Sequence, residues 1–450
     1  MSREKAGNID MIIRAGTLLT MNRAMEAAHD AAVMISGKKI LDIQPWDGDK
    51  AWGLSNKVEI LDASDCLVLP GLINCHTHAA MTLFRGYADD LPLKQWLFEK
   101  IFPAEAETLS PETVFWGSML GFAELITGGT TCFIDGYFYQ DHTMTAALKV
   151  GIRGLAAQGI IDFPAPGVPD PSKNLETGEA FLEKWAGASE LVRPGLFCHS
   201  PVTCSDKTLK KAMEISERYG LPMQIHLSET EAEVREIREK KNQAPVFYLE
   251  KLGILNSRLI AAHGVHLEEK EIEIIAQKGT KVVHVPESNM KLASGAANVP
   301  YMIKQKIKVG LGTDGCASNN NLDLFQEMDT AAKLAKVISG DPEVLDAKSV
   351  LKMATRWGAE VLGLQDEIGS IEIGKKADII TVDLRSPHLQ PLYDPYSLIV
   401  YSASAGDVRD VIINGKIVLR DKKFVALDLE EIKAKVRETA EPLKKRAGLN

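Results

Sequence analysis

Short apolar runs broken by turn residues fill the start of the chain: Asp10 to Leu19, then Ala31 to Ile43 interrupted by Gly37-Lys38-Lys39, then Val58 to Leu61. Runs of this kind predict short β-strands. A matching set lies near the other end, in Ala377 to Val382 and in Val408 to Leu419, where Asn414-Gly415 between apolar stretches predicts a tight hairpin. Neither set can bury a sheet alone, so the two ends are expected to pair into one small β domain. The closing stretch Asp428 to Leu449 mixes charge with apolar positions at helical spacing and predicts an amphipathic helix.

Between the ends the pattern changes to apolar strands alternating with longer helical stretches, which is the mark of parallel βαβ units. The expected strands are Leu67 to Ile73, Thr130 to Ile134, Gly154 to Gly159, Gly195 to His199, Met223 to Leu227, Leu259 to Ala262, Lys281 to Val285 and Lys308 to Gly312. Eight such units predict a (β/α)8 TIM-type barrel. Helix starts are legible as well: Ser110-Pro111-Glu112 combines a capping serine, proline at the first helical position and an acidic first turn, and Cys204-Ser205-Asp206 opens the helix after the fourth strand. The expected α/β organisation has a barrel over 67–370 and a small β-sandwich domain shared by 1–66 and 371–450, with the terminal helix at its end. No internal repeat or low-complexity tract is apparent.

At 450 residues and 45% apolar content the chain can bury a large core, and with a quarter of its residues charged it does not read as disordered. A net charge of -9 with dispersed Lys and Arg gives no basic field for a polyanion, which argues against nucleic acid as a partner. Six cysteines, Cys66, Cys75, Cys132, Cys198, Cys204 and Cys316, are scattered and include no CxxC pair. They fit a reduced, cytoplasmic setting. The start of the chain lacks the apolar core of a secretory signal, and no segment approaches 18 uninterrupted apolar residues, so no membrane association is expected.

The chemistry concentrates at the predicted strand ends, where barrel enzymes build their sites. His76 and His78, in Asn74-Cys75-His76-Thr77-His78, close the first strand two residues apart, so both rings face one side. His199 closes the fourth strand, His226 lies near the end of the fifth, His263 follows the sixth and Asp314 the eighth. Three imidazoles and one carboxylate suit a divalent cation with an open position for water. The expected ligands are His76, His78, His226 and Asp314, with His263 orienting the water and Asp314 taking its proton. Glu229, three residues beyond His226, can reach a substrate atom beside the ion. A two-metal site would need a bridging group from the fourth strand end, and Phe197-Cys198-His199-Ser200 has no lysine to carbamylate, so one ion per subunit is expected. The ligand set does not separate zinc from iron, nickel or manganese. A different zinc-site pattern, HxE followed by PCxxC, is unsupported: His266-Leu267-Glu268 has no CxxC to complete it.

Taken together, Pro70 to His78, His199-Ser200-Pro201, His226-Leu227-Ser228-Glu229-Thr230, Ala262 to His266, His284 to Leu292 and Gly312 to Asn320 make the chain resemble the amidohydrolase superfamily over essentially its whole length. Within it, the chain is similar to the branch of 5'-methylthioadenosine and S-adenosylhomocysteine deaminases. The resemblance implies that His76, His78, His226 and Asp314 hold the metal, most simply Zn2+. It implies also that Glu229 moves a proton to a purine ring, that Glu105 binds ribose, and that His199 lies near the sugar. Ser318, in the last motif, is expected among the substrate contacts, and Trp96, with Leu97 and Phe98 in the loop after the first strand, is expected to cover the apolar end of the substrate. Hydrolytic attack at C6 of adenine is the implied reaction, and a homo-oligomer, dimer or tetramer, the implied assembly. Some family members carry an arginine after the third strand that meets a homocysteine carboxylate. Here that position is Gln158, which favours methylthioadenosine or adenosine over S-adenosylhomocysteine. Related barrels act on guanine, 8-oxoguanine, pterins or triazines, and these stay open as alternatives. Glu105 argues for a nucleoside, because a free base offers no diol.

Overall fold

In a computed structural model of the chain, residues 9–48 and 58–446 are described. Four strands open it: β1 (Met11–Leu19), β2 (Ala27–Ser36), β3 (Lys39–Pro45) and β4 (Glu59–Pro70). Eight follow in alternation with helices: β5 (Leu72–Thr77), β6 (Thr130–Tyr137), β7 (Arg153–Ile160), β8 (Val192–Cys198), β9 (Met223–Leu227), β10 (Leu259–His263), β11 (Lys281–His284) and β12 (Val309–Leu311). The last four are β13 (Ile379–Asp383), β14 (Val408–Ile413), β15 (Lys416–Arg420) and β16 (Lys423–Phe424).

The strands β5 to β12 pair in parallel and in sequence order, as right-handed βαβ crossovers dictate. The ends of this sheet meet, with the backbone N–H of Asp314 donating to the His76 carbonyl at 3.0 Å. Gly312 permits that approach: a Cβ there would lie 2.8 Å from His76. The strands are buried on both faces, which is why each reads as a solid apolar run rather than an alternating one.

The two chain ends join in a second eight-stranded sheet, ordered β16-β15-β14-β13-β4-β1-β2-β3, with β1 parallel to β4 and every other pair antiparallel. It curls back on itself: Ala377 N–H donates to the Lys38 carbonyl at 2.9 Å, and both halves surround one apolar cluster that includes Ile13, Val33, Val68, Ile379 and Ile412. The predicted hairpin is present, with Asn414 and Gly415 at φ of 54° and 76°, the left-handed pair that a tight two-residue turn requires.

Three elements differ from expectation. The run Leu67 to Ile73 is split at Gly71: Leu67–Pro70 end β4 and pair with β13, and the barrel strand begins at Leu72. Both pieces are buried, so hydropathy does not show the boundary. The terminal helix breaks at Ala440 into Leu429–Thr439 and Glu441–Arg446, because Pro442 cannot continue the first helix's hydrogen bonding; the last residues of that expected helix fall outside the described residues. Arg153, expected on a helix, is the first residue of β7 and only 2% exposed. Its guanidinium donates to both carboxylate oxygens of Asp378, at 2.6 and 3.1 Å, and ties the base of the barrel to the outer sheet.

Candidate active site

The strand ends bring the expected residues to one rim. His76 lies in β5 and His78 just past it, His226 in β9, His263 at the end of β10, and Asp314 after β12. Three turn residues there adopt left-handed backbone: Ser228 at φ 51°, His263 at 72° and Asp314 at 62°. Such conformations cost free energy in non-glycine residues and persist where the surroundings over-determine them, as at functional sites.

His76 Nε2 and His226 Nε2 are 3.2 Å apart, and Asp314 Oδ1 lies 3.2 Å from His78 Nε2 and 3.6 Å from His76 Nε2. Ligand atoms of His76, His78 and Asp314 form one compact set, and those of His76, His226 and His263 another that shares His76. The two sets meet at His76, and His263, expected to orient water, belongs to the second of them. Hydrogen bonding on the far side of the rings sets their tautomers. His78 Nδ1–H donates to the Gly136 carbonyl and His263 Nδ1–H to Asn289 Oδ1 at 2.9 Å, which turns both Nε2 lone pairs inward.

The donor chemistry fits a divalent cation. Burial, reinforced by the neighbouring imidazoles, holds His76 and His226 well below the usual histidine range, so both are neutral rings, the form in which an imidazole nitrogen offers a lone pair to a cation. Burial opposes charge on His78 as well, but the Asp314 carboxylate outweighs it and the net shift is upward. Asp314 shows the converse: burial pushes it up, yet the histidines hold it well below the ordinary carboxylate range. Ser288 and Ser318 donate to its Oδ2 at 2.7 and 2.9 Å, and Gly315 N–H to its Oδ1 at 2.8 Å. Ser318 lines the cavity but spends its hydroxyl on Asp314 rather than leaving it free for a substrate.

A cavity of about 1170 Å3 opens onto this cluster, lined by His78, His226, His263 and Asp314 at the histidine end and by Leu91, Leu97, Phe98, Phe102, Phe138 and Val202 elsewhere. Glu229 lines it, 8% exposed, with Oε2 3.7 Å from His263 Nε2. Burial raises its pKa, partly offset by His263. His199, pushed down to about 3 by burial, reaches Thr203 Oγ1 through Nδ1 at 2.9 Å. Glu105 is 2% exposed and pushed up to about 7 by burial, against the opposing hydrogen bond from Tyr137 Oη. Trp96, 6% exposed, sits not in a loop but in a helical stretch, Trp96–Ile101, widened to a π-helix just before Pro103. Phe98, on the same stretch, is nearly half exposed.

Sequence reasoning missed several residues. Tyr137, the last residue of β6, meets Glu105. Glu233 lines the cavity beside Glu229, accepts that residue's backbone N–H at 2.9 Å, and is pushed up to about 7 by burial and by the Glu229 charge. Asn289, within the stretch His284 to Leu292, orients the His263 ring. Only strand parity at β6 could have pointed to Tyr137. Gln158 is not among the residues lining the cavity; its Oε1 accepts from Gln140 N–H at 3.2 Å, and the cations at the cavity wall are Lys94, Arg235 and Lys291.

Comparison with known proteins gives three kinds of likeness. A model of the amidohydrolase family matches residues 67–418. A 5-methylthioadenosine/S-adenosylhomocysteine deaminase of Syntrophus aciditrophicus is 45% identical over 434 residues, 96% of this chain and 97% of that protein. A 5'-deoxyadenosine deaminase of Methanosarcina acetivorans is 43% identical over 441 residues, 97% of this chain and 99% of that one. Among solved structures, an adenosine deaminase from Xanthomonas campestris with bound zinc superposes with a TM-score of 0.94 at 36% identity, over 97% of this chain and 99% of that chain.

Proposed function

The chain belongs to the amidohydrolase family, and we propose that it deaminates adenine nucleosides with a small 5'-substituent, 5'-methylthioadenosine foremost, to the inosine analogue and ammonia. Adenosine, 5'-deoxyadenosine and S-adenosylhomocysteine are the neighbouring substrates. The observation that carries this reading is the pairing of two buried carboxyls in one cavity. Glu229 stands next to the histidine–aspartate cluster, and Glu105 is available for a ribose diol. The names of the three relatives given above, each a deaminase of adenine nucleosides, support it.

His76, His78, His226 and Asp314 would hold one divalent ion per subunit, with zinc favoured by the zinc-bound structural relative. When bound, such an ion supplies the Lewis acidity that makes water nucleophilic near neutral pH. The residues do the rest. Water adds at C6 as Glu229 passes a proton to N1 of the ring. The water's proton goes to Asp314, and His263 orients the oxygen. The proton held by Asp314 then passes to the amino group, the C6–N bond breaks and ammonia leaves, and the C6 hydroxyl proton returns to Glu229, leaving the 6-oxo ring. Glu105 accepts the ribose hydroxyls, His199 contacts the sugar side, and Trp96 packs over the apolar end, with Ser318 acting on substrate through Asp314. Proton transfer to the ring matters because an amidine carbon is a poor electrophile until its nitrogen is protonated.

The catalytic unit is the barrel, which begins at Leu72 rather than at 67, with β1 to β4 and β13 to β16 as its β-sandwich companion. All six cysteines are buried and unpaired, which supports a reducing, cytoplasmic setting, and no helix among the described residues is long and apolar enough to cross a membrane. A homo-oligomer, dimer or tetramer, completes the reading.

The test is ammonia release, with the ultraviolet shift from adenine to hypoxanthine, for metal-loaded protein given methylthioadenosine, adenosine, S-adenosylhomocysteine and guanine in parallel. Turnover led by methylthioadenosine is expected. Silence on every adenosine with activity on guanine would sink the nucleoside assignment.

A further inference from the structure

Glu105 stands on a segment that is not part of the barrel wall. Between β5 and the helix Pro111–Thr127 the chain makes three joined helical pieces, Leu93–Gln95, Trp96–Ile101 and Phe102–Thr108, whose Leu93, Trp96, Leu97, Phe98 and Phe102 line the cavity. Pro103 removes a backbone donor, and the π-helical stretch before it departs from regular geometry. A segment of this kind takes its exact course from what it packs against.

It packs against the barrel's own loops, Phe84 and Phe138 among them, and, on its other side, against the far end of the chain. Leu443 and Val436, 4% and 9% exposed, belong to the same apolar cluster as Trp96, Ile101 and Ala104. Arg446 forms an ion pair with Glu107, two residues beyond Glu105 on the same helix. The helix Leu429–Thr439 in turn lies along Pro111–Thr127, which is fixed by its own capping box of Ser110 and Thr113. The terminal helix pair therefore bridges the barrel helix Pro111–Thr127 and the segment that carries Glu105.

We propose that Leu443 and Arg446 are positioning residues, which act through the helix Phe102–Thr108 to hold Glu105 and Trp96 at the bound nucleoside. The inference rests on the reading of Glu105 as the acceptor of the ribose diol. It gives the C-terminal helices, which touch no substrate, a part in selecting one.

Full-length, zinc-loaded Leu443→Ala, Arg446→Glu and the exchange Glu107→Lys with Arg446→Glu are compared with the parent on adenosine and 2',3'-dideoxyadenosine. For Leu443→Ala, KM for adenosine is expected to rise about tenfold, ~1.4 kcal/mol, with kcat within about twofold. For Arg446→Glu a rise of roughly threefold is expected, in keeping with a part-exposed ion pair. In both, the preference for adenosine over the dideoxy compound shrinks by the same factor, and the charge exchange restores it. Arg446 has a third of its side chain exposed, so its variant reads out the idea even where Leu443→Ala lowers stability. An unchanged preference in both variants overturns the inference. So does a parallel loss on both substrates with loss of metal, which would mean packing alone. A parent that does not distinguish the two nucleosides overturns the Glu105 reading itself, a result separable from either of these.

Discussion

Replacing Glu229 by glutamine removes a proton acceptor while keeping the size of the side chain. The backbone N–H of residue 229 still donates to Glu233 Oε2, so the turn after β9 keeps its anchor. The carboxylate it removes is buried and has its pKa raised by that burial, which suits a group that must both give and take a proton near neutral pH. Positioned acid–base groups contribute about 10²- to 10⁴-fold to a rate, or ~2.7 to 5.4 kcal/mol at 1.36 kcal/mol per decade. We expect kcat on methylthioadenosine to fall within that range and KM to change by less than about threefold, since removing an interaction made only in the transition state leaves ground-state binding intact. Thermal stability should not fall: the amide relieves the burial of one charge and the repulsion that raises Glu233. The measurements are the ultraviolet rate, metal content by elemental analysis and a melting curve on the same preparation. A variant that retains full metal and more than a tenth of the parental kcat would remove Glu229 from the mechanism. A variant that loses its metal would show instead that the residue belongs to the ion's ligand shell.

Further predictions follow from other parts of the site. Glu105→Gln should lower kcat/KM on ribonucleosides by about two orders of magnitude, as expected for two lost charge-assisted hydrogen bonds, while 2',3'-dideoxyadenosine is affected little. With Glu105 held up to about 7 by burial, the neutral acid dominates below that pH and accepts the diol poorly. The parental kcat/KM should therefore fall as pH drops through about 7, and a profile flat down to pH 5.5 would contradict the assignment. His226→Ala should lose both metal and activity, with zinc titration failing to restore turnover. Arg153→Met strands a buried carboxylate at Asp378 and should cost about 3–5 kcal/mol of stability, read as a lower denaturant midpoint; the double variant with Asp378→Leu should recover much of it.

Much of this site is legible along the chain because metal chemistry and barrel geometry are both local rules. An imidazole at a strand end, two positions from another, points to the same side wherever the strand sits, and βαβ units bring all such ends to one rim. Caps at Ser110 and Ser205 and the Asn414-Gly415 turn are local for the same reason: a few dihedrals and one or two hydrogen bonds decide them. The eight-unit alternation and the gathering of the histidines and Asp314 at one rim therefore follow from the amino-acid order by itself. The division of Leu67–Ile73 at Gly71 does not, because a residue buried against the outer sheet and one buried in the barrel are equally apolar. The Arg153–Asp378 pair, the contact of Tyr137 with Glu105, the turning of Gln158 toward Gln140 and the seating of Leu443 on the Trp96 segment each join residues far apart in the chain or depend on which way a side chain faces. Periodicity reports which residues seek burial or a partner. Which partner each one meets is decided only when the whole chain packs, since desolvation and hydrogen-bond geometry are set by neighbours that the local pattern does not name.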